Sequence, residues 1–304
     1  MSGSVVNSVE LGATVSDWLA LLKPRVLTLV VFTGAVGLVI APSHMNPVLG
    51  LVAILCITIA AGAAGAINMW YDRDIDAIMK RTASRPIPAG RISAEGGLIF
   101  GVTLALFSVL VMAMATNLVA AGILAVSIGF YVFVYTIWLK RRTPQNIVIG
   151  GAAGAFPAMI GWAAATGTVS LEPVLLFLIA FFWTPPHFWS LSLYASGDYE
   201  RAGVPMLPVV RGARYTRQNV MAYTLVLVPF TLAPWALGLM GWVYGVTASV
   251  LGAMFIWYAW AVLTDKQDAA GKSLTKDAPA KKAFRFSILY LFILFGACAV
   301  DRFV

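Results

Sequence analysis

Residues 60–76 read Ala60-Ala61-Gly62-Ala63-Ala64-Gly65-Ala66-Ile67-Asn68-Met69-Trp70-Tyr71-Asp72-Arg73-Asp74-Ile75-Asp76. The first part closes an apolar run that begins near residue 49 and is long enough to cross a hydrocarbon core of about 30 Å. The second part ends that run with an amide and three carboxylates, and Lys80, Arg81, Arg85 and Arg91 follow. Ionisable groups at the mouth of a membrane-length helix are costly unless they bind something.

The rest of the chain agrees with a membrane reading. Of its 304 residues 60% are apolar and only 11% are charged, with mean hydropathy +0.86. That leaves too little polar surface to cover a soluble domain. The apolar runs are continuous rather than alternating, so they predict helices and exclude a barrel. Punctuation by Pro, Gly and charge divides them into about nine spans, near 25–41, 49–71, 96–115, 118–139, 147–166, 173–194, 219–239, 242–263 and 284–302. They are read as one intramembrane domain over 1–304, with 1–22 as a cytoplasmic N-terminal segment and 264–283 as a solvated linker loop. Residues 1–22 carry Glu10 and Asp17 and no Arg, unlike a secretory signal or a mitochondrial presequence. A bacterial cytoplasmic (inner) membrane is the expected home.

Charge gives the orientation. Every Lys and Arg except Arg302 falls in the N-terminal segment or near the loops 72–95, 140–146, 195–218 and 264–283. By the positive-inside rule these are cytoplasmic, the N-terminus is inside and the C-terminus outside. The net charge of +8 then reports topology and a basic surface facing anionic lipid headgroups; no nucleic-acid partner is implied. Cys56 and Cys298 sit alone in apolar runs and read as packing residues.

Asn68, Asp72 and Asp76 are four apart. On a continuing helix they share one slowly rotating face about 12 Å long. Hard oxygen donors at that spacing suit Mg²⁺, which takes one or two carboxylates and fills its shell with water and substrate phosphate; an interfacial turn with an Asp76/Lys80 i,i+4 pair is the competing reading. Asp74 faces away and should pair with neighbouring bases. A second acidic segment, Tyr194-Ala195-Ser196-Gly197-Asp198-Tyr199-Glu200-Arg201, follows another span on the same side. With Lys80, Arg81, Arg85, Arg201 and Arg211 nearby, the two segments form a plausible cage for Mg²⁺ and a diphosphate.

These residues resemble the first aspartate motif of the intramembrane UbiA-type prenyltransferases: Asn68xxxAsp72xxxAsp76, then Thr82 and Arg85-Pro86-Ile87-Pro88-Ala89-Gly90-Arg91. Lys23-Pro24-Arg25, Tyr135 to Thr143 with Asn146, Thr184-Pro185-Pro186-His187-Phe188-Trp189, Asp198-Tyr199 and Ala202 to Pro208 resemble the haem-farnesylating branch of that family. The resemblance implies an all-helical ring of nine spans around a central cavity open sideways to lipid. It also implies farnesyl diphosphate and haem B as substrates, with a haem A synthase as a partner receiving the product. It carries Asn68, Asp72 and Asp76 over as the first Mg²⁺–diphosphate site and Asp198 as part of the second. One departure is that Ala202 stands four residues after Asp198, where many relatives have a second Asp; Tyr194, Tyr199 or Glu200 are the candidates to replace it.

The implied chemistry is ionisation of the farnesyl C–O bond as the diphosphate is neutralised, attack by the haem 2-vinyl carbon, and capture of the resulting cation by water. Trp70, Tyr71, Trp183 and Trp189 are candidates to stabilise positive charge, with packing as the blander role. His187 follows Pro185-Pro186 inside span six, about 16 Å along a regular helix from Asp198. It is expected either to meet the porphyrin, where a neutral imidazole suits haem iron, or to bond backbone freed by the prolines. Tyr194, Tyr199 and Lys140 complete the haem candidates, while His44 is expected in solvent. Two rival functions are a quinone- or chlorophyll-pathway prenyltransferase of the same fold, and a transporter.

Overall fold

The computed structural model describes residues 12–268 and 271–304. Residues 1–11 of the N-terminal segment, residues 269–270 of the loop 264–283 and the side chains of Arg25 and Val26 lie outside what is described.

Among the described residues the chain is helical with no sheet. It begins with α1 (Val15–Leu21), started by a Thr14/Asp17 capping box, which satisfies orphan N–H groups reciprocally. Trp18 lies 5.0 Å from the Phe100 ring. Next come α2 (Pro24–Ile40), α3 (Pro47–Tyr71), the short α4 (Arg73–Ile78), α5 (Ala94–Ala115) and α6 (Leu118–Gly129). Helix α6 runs on as a π-helix, Phe130–Leu139. There follow α7 (Asn146–Gly150), α8 (Ala152–Thr166), α9 (Leu171–Tyr194), the short α10 (Ser196–Arg201), α11 (Leu207–Ala236), α12 (Trp242–Leu263) and α13 (Ala278–Asp301).

Among the described residues eight helical segments are long and apolar enough to cross a membrane, with α7 and α8 forming one of them and α6 with its π continuation another. The expected ninth, α2, has 17 residues, about 25 Å at 1.5 Å per residue, and its apolar part is Leu27–Ile40. Each long helix packs on its neighbour in chain order, and α13 returns to α2, closing a ring; α2 also crosses α8. That crossing is set by glycine. A Cβ on Gly37 would collide with the Ala158 backbone and one on Gly161 with the Gly34 carbonyl, so the two backbones approach as small-residue interfaces in membranes allow.

Four expectations change. The span near 219–239 begins twelve residues earlier, at Leu207, with a kink at Gly212 (φ 82°, ψ 163°) that only glycine adopts without strain. Helix α9 runs unbroken from Leu171 to Tyr194 through Pro185 and Pro186. The segment near 147–166 is two helices meeting at Gly151. The loop 264–283 is not a free linker: Arg217, buried on α11 just past the Gly212 kink, donates to Asp277 Oδ1 (2.9 Å), to the Gly271 carbonyl (3.2 Å) and to Asp265 Oδ2 (3.5 Å). A buried guanidinium needs such partners, and the acids that supply them had read as solvated.

Candidate active site

Helix α3 delivers the amide and the first acid. Asp72 N–H donates to the Asn68 carbonyl (2.9 Å) and Asp76 N–H to the Asp72 carbonyl (2.8 Å), so the helical register carries through Asp72 into α4. Asn68, Asp72 and Asp76 therefore share a face, as the spacing predicts, and that face is buried: their exposures are 3%, 0% and 2%.

Buried carboxylates require partners, and the partners come from three other segments. Lys140 forms an ion pair with Asp72, and Arg141 adds a longer contact at 3.4 Å. Asn68 Nδ2 donates to Asp72 Oδ2 (2.7 Å) and to Thr136 Oγ1 (3.1 Å), while Asn68 Oδ1 accepts from Lys23 Nζ at 2.8 Å. Arg85 donates to Asp76 Oδ2 at 2.6 Å, so the Asp76/Lys80 pair is not formed; Lys80 is exposed. Asp74 faces away, and its partner is Arg141, which takes both its oxygens at 2.6 and 2.7 Å. That hydrogen bonding holds the Asp74 carboxyl down at about 2.

The π-helix brings Lys140, Arg141 and Thr136 to this cluster. Widened turns of this kind recur at functional sites, and here Tyr131 and Tyr135 of the same segment face the cavity.

The second acidic segment closes over the first. Arg81 Nη2 donates to Tyr199 Oη at 2.9 Å, with its guanidinium 5.1 Å from the Tyr199 ring centre. Beneath them Ile75, Met79, Tyr199, Ala202, Val204 and Met206 form one apolar cluster. Tyr199 is thus buried. Asp198, on α10, pairs with Arg201 on the same short helix, and Arg201 and Arg211 are exposed. The structure brings Asn68, Asp72, Asp76, Arg85 and Lys140 together and ties Arg81 to Tyr199; it does not place Asp198, Arg201, Lys80 or Arg211 in that cluster.

Inward of Lys23 and Arg81 lies a largely apolar cavity of about 570 Å³. Helices α2, α3, α6 with its π continuation, α7, α8, α9 and α13 line it, whereas α5, α11 and α12 stand outside. His187 lines this cavity. It does not bond the proline-freed backbone; its Nδ1 lies 2.7 Å from Ser287 Oγ, and its ring is stacked between Trp183 (4.2 Å) and Phe284 (4.6 Å). Tyr194 is half-buried, edge-on to Phe284 at 6.3 Å.

The oxygens of Asn68, Asp72 and Asp76 fit a hard divalent cation. Among the described residues no three His, Cys, Asp or Glu side chains are gathered tightly enough to hold a metal alone, so an ion here must complete its shell from substrate and water, which is the habit of Mg²⁺. The cations that now neutralise the acids have the chemistry to hold the same diphosphate.

Residues 30–289 match the UbiA prenyltransferase family. The chain belongs to that family. It is 70% identical over 301 residues to the protoheme IX farnesyltransferase of Acidiphilium cryptum, covering 99% of this chain and 95% of that one. Its fold is that of a solved digeranylgeranylglyceryl phosphate synthase (TM-score 0.77, 18% identity, 94% of this chain and 98% of that one). It is also that of a UbiA homolog from Archaeoglobus fulgidus bound to DMAPP and Mg²⁺ (TM-score 0.64, 16% identity, 93% and 99%).

In this UbiA fold Lys23 is one residue that the sequence does not assign to the site. It had been read only as part of a Lys-Pro-Arg marker, yet it lines the cavity and holds Asn68. Its one local signal is a lysine directly ahead of the proline that opens α2. Arg141 and Thr136 were missed as partners of the acids because nothing in sequence joins them to positions about 70 residues away.

Proposed function

We propose that the protein transfers the farnesyl group of farnesyl diphosphate to the 2-vinyl group of haem B, with addition of water, forming haem O and releasing diphosphate. The observation that carries the diphosphate half is the buried Asn68/Asp72/Asp76 face, set with Lys23, Arg85, Lys140 and Arg141 at the polar end of an apolar cavity. The haem half rests on the near full-length similarity to protoheme IX farnesyltransferases and on His187 in that cavity.

Asn68, Asp72 and Asp76 are the residues that would hold Mg²⁺. When bound, the ion supplies positive charge to the departing diphosphate oxygens. Lys23, Arg81, Arg85 and Lys140 bind that diphosphate, and Arg141 orients Asp72 while its main hydrogen bonds fix Asp74. Asp198 is assigned to the outer diphosphate region on the family resemblance, and Lys80, Arg201 and Arg211 on their charge and their place in the two polar segments. The apolar walls hold the farnesyl chain and keep bulk water from the allylic cation. The face of Tyr135 offers electron density to positive charge nearby. His187 orients the porphyrin so that its vinyl carbon meets the farnesyl C1; the bond to C1 forms as the C–O bond to diphosphate breaks. Water then adds to the vinyl-derived cation and loses a proton. The charge asymmetry of the loops supports a cytoplasmic face for the diphosphate site; a bacterial inner membrane and a haem A synthase that receives the product complete the reading on the family resemblance.

The test is diphosphate release by purified full-length protein given farnesyl diphosphate and Mg²⁺. Release should depend on added haem B and stop with a chelator. Release driven by hydroxybenzoate and not by haem would favour the quinone-pathway reading, and solute uptake into proteoliposomes without release would favour a transporter.

A further inference from the structure

Among the described residues His187 makes one side-chain hydrogen bond, and that contact decides which of its nitrogens carries the proton. Ser287 on α13 is fully buried. Its Oγ lies 2.7 Å from the Phe284 carbonyl and 2.7 Å from His187 Nδ1. A hydroxyl has one proton and two lone pairs. The Phe284 carbonyl can only accept, so a Ser287 proton placed there leaves the hydroxyl oxygen to accept from His187 Nδ1–H. Both protons are then in hydrogen bonds. In the reverse arrangement Ser287 donates to Nδ1, and an Nε2–H is left pointing into the cavity, where no partner for it exists among the described residues. The first arrangement makes both hydrogen bonds and the reverse makes only one, so the first arrangement wins.

The surroundings keep the ring from escaping this choice. Trp183 and Phe284 stack on its two faces, with interplanar angles of 19° and 25°, and Phe188 meets its edge at 5.4 Å. Trp183 Nε1 also donates to the Ser287 carbonyl at 2.7 Å, which ties α13 to α9 at this level. The imidazole plane, its hydrogen-bonded edge and the helix carrying its partner are therefore fixed together.

We propose that Ser287 is a positioning residue: it holds His187 as the Nδ1–H tautomer, so that Nε2 presents a lone pair to the cavity as the group that takes the iron of haem B. This rests on the reading of haem B as the acceptor bound at His187. Neutral imidazole ligates through a bare nitrogen, and the bond made by the other nitrogen sets which one that is.

The chain has two histidines, and His44 is exposed, so ¹⁵N-histidine NMR of the full-length protein in detergent resolves the tautomer without haem. The expected result is Nδ1–H for wild-type His187, a shift to the Nε2–H form in Ser287→Ala, and restoration in Ser287→Thr. In parallel, haem B titration should show nitrogen ligation in the absorption spectrum of wild type. That signature should be lost in His187→Ala and bind about tenfold more weakly in Ser287→Ala, with the KM for farnesyl diphosphate unchanged. An Nε2–H wild type, or a Ser287→Ala variant with unaltered tautomer, would overturn the Ser287 assignment. A normal haem spectrum in His187→Ala, with the tautomer behaving as expected, would instead overturn haem ligation at His187.

Discussion

At the scale of single residues, the site divides into positions that local spacing can reveal and positions that it cannot. Asn68, Asp72 and Asp76 were legible because i,i+4 spacing puts them on one face of any helix, whatever surrounds it. Asp72→Asn keeps the shape and a hydrogen-bonding oxygen but removes the charge; it should lower haem-dependent turnover at least a hundredfold, the scale of losing one electrostatic group at a reacting centre. The variant should still fold, with an unfolding temperature lowered by loss of the Lys140 pairing, and near-normal turnover would refute the metal assignment. Lys23 was not legible, because its meeting with Asn68 spans 45 positions and depends on how α2 docks on α3. Lys23→Gln should raise the KM for farnesyl diphosphate about tenfold or more, in line with about 1.5–3 kcal/mol for a hydrogen bond to a charged group. An unchanged KM would remove Lys23 from the site.

At the scale of elements, apolar length and charge punctuation located every long helix, since burial in lipid demands a continuous apolar run. What they missed is how helices bend and what loops hold. The π-helix at Phe130–Leu139 has no composition that distinguishes it from an α-helix, yet it carries Lys140 to Asp72. The loop 264–283 looked solvated because its acids are polar and its lysines many, whereas Asp265 and Asp277 converge on buried Arg217. Arg217→Leu would strand those carboxylates, and breaking such a pair by removing one member costs about 3–5 kcal/mol. We expect a lowered unfolding temperature in detergent and faster proteolysis between Asp265 and Asp277. Cleavage at the wild-type rate would show that the loop is held by something other than Arg217.

At the scale of the whole molecule, the ring of helices solves one physical problem: an ionic leaving group and an apolar chain must meet in one place. The polar cluster sits where α3 ends, and the cavity behind it is enclosed by helices from both halves of the chain. Composition revealed the membrane and the motifs revealed the UbiA family. Sequence did not disclose that α5, α11 and α12 stand outside the cavity wall, because helix packing order is set by tertiary fit. The direct measurement is mass analysis of the haem extracted after incubating the purified protein with farnesyl diphosphate, Mg²⁺ and haem B. The account predicts a haem carrying one farnesyl group and one added water; haem recovered unchanged, while hydroxybenzoate in the same mixture becomes farnesylated, would contradict it.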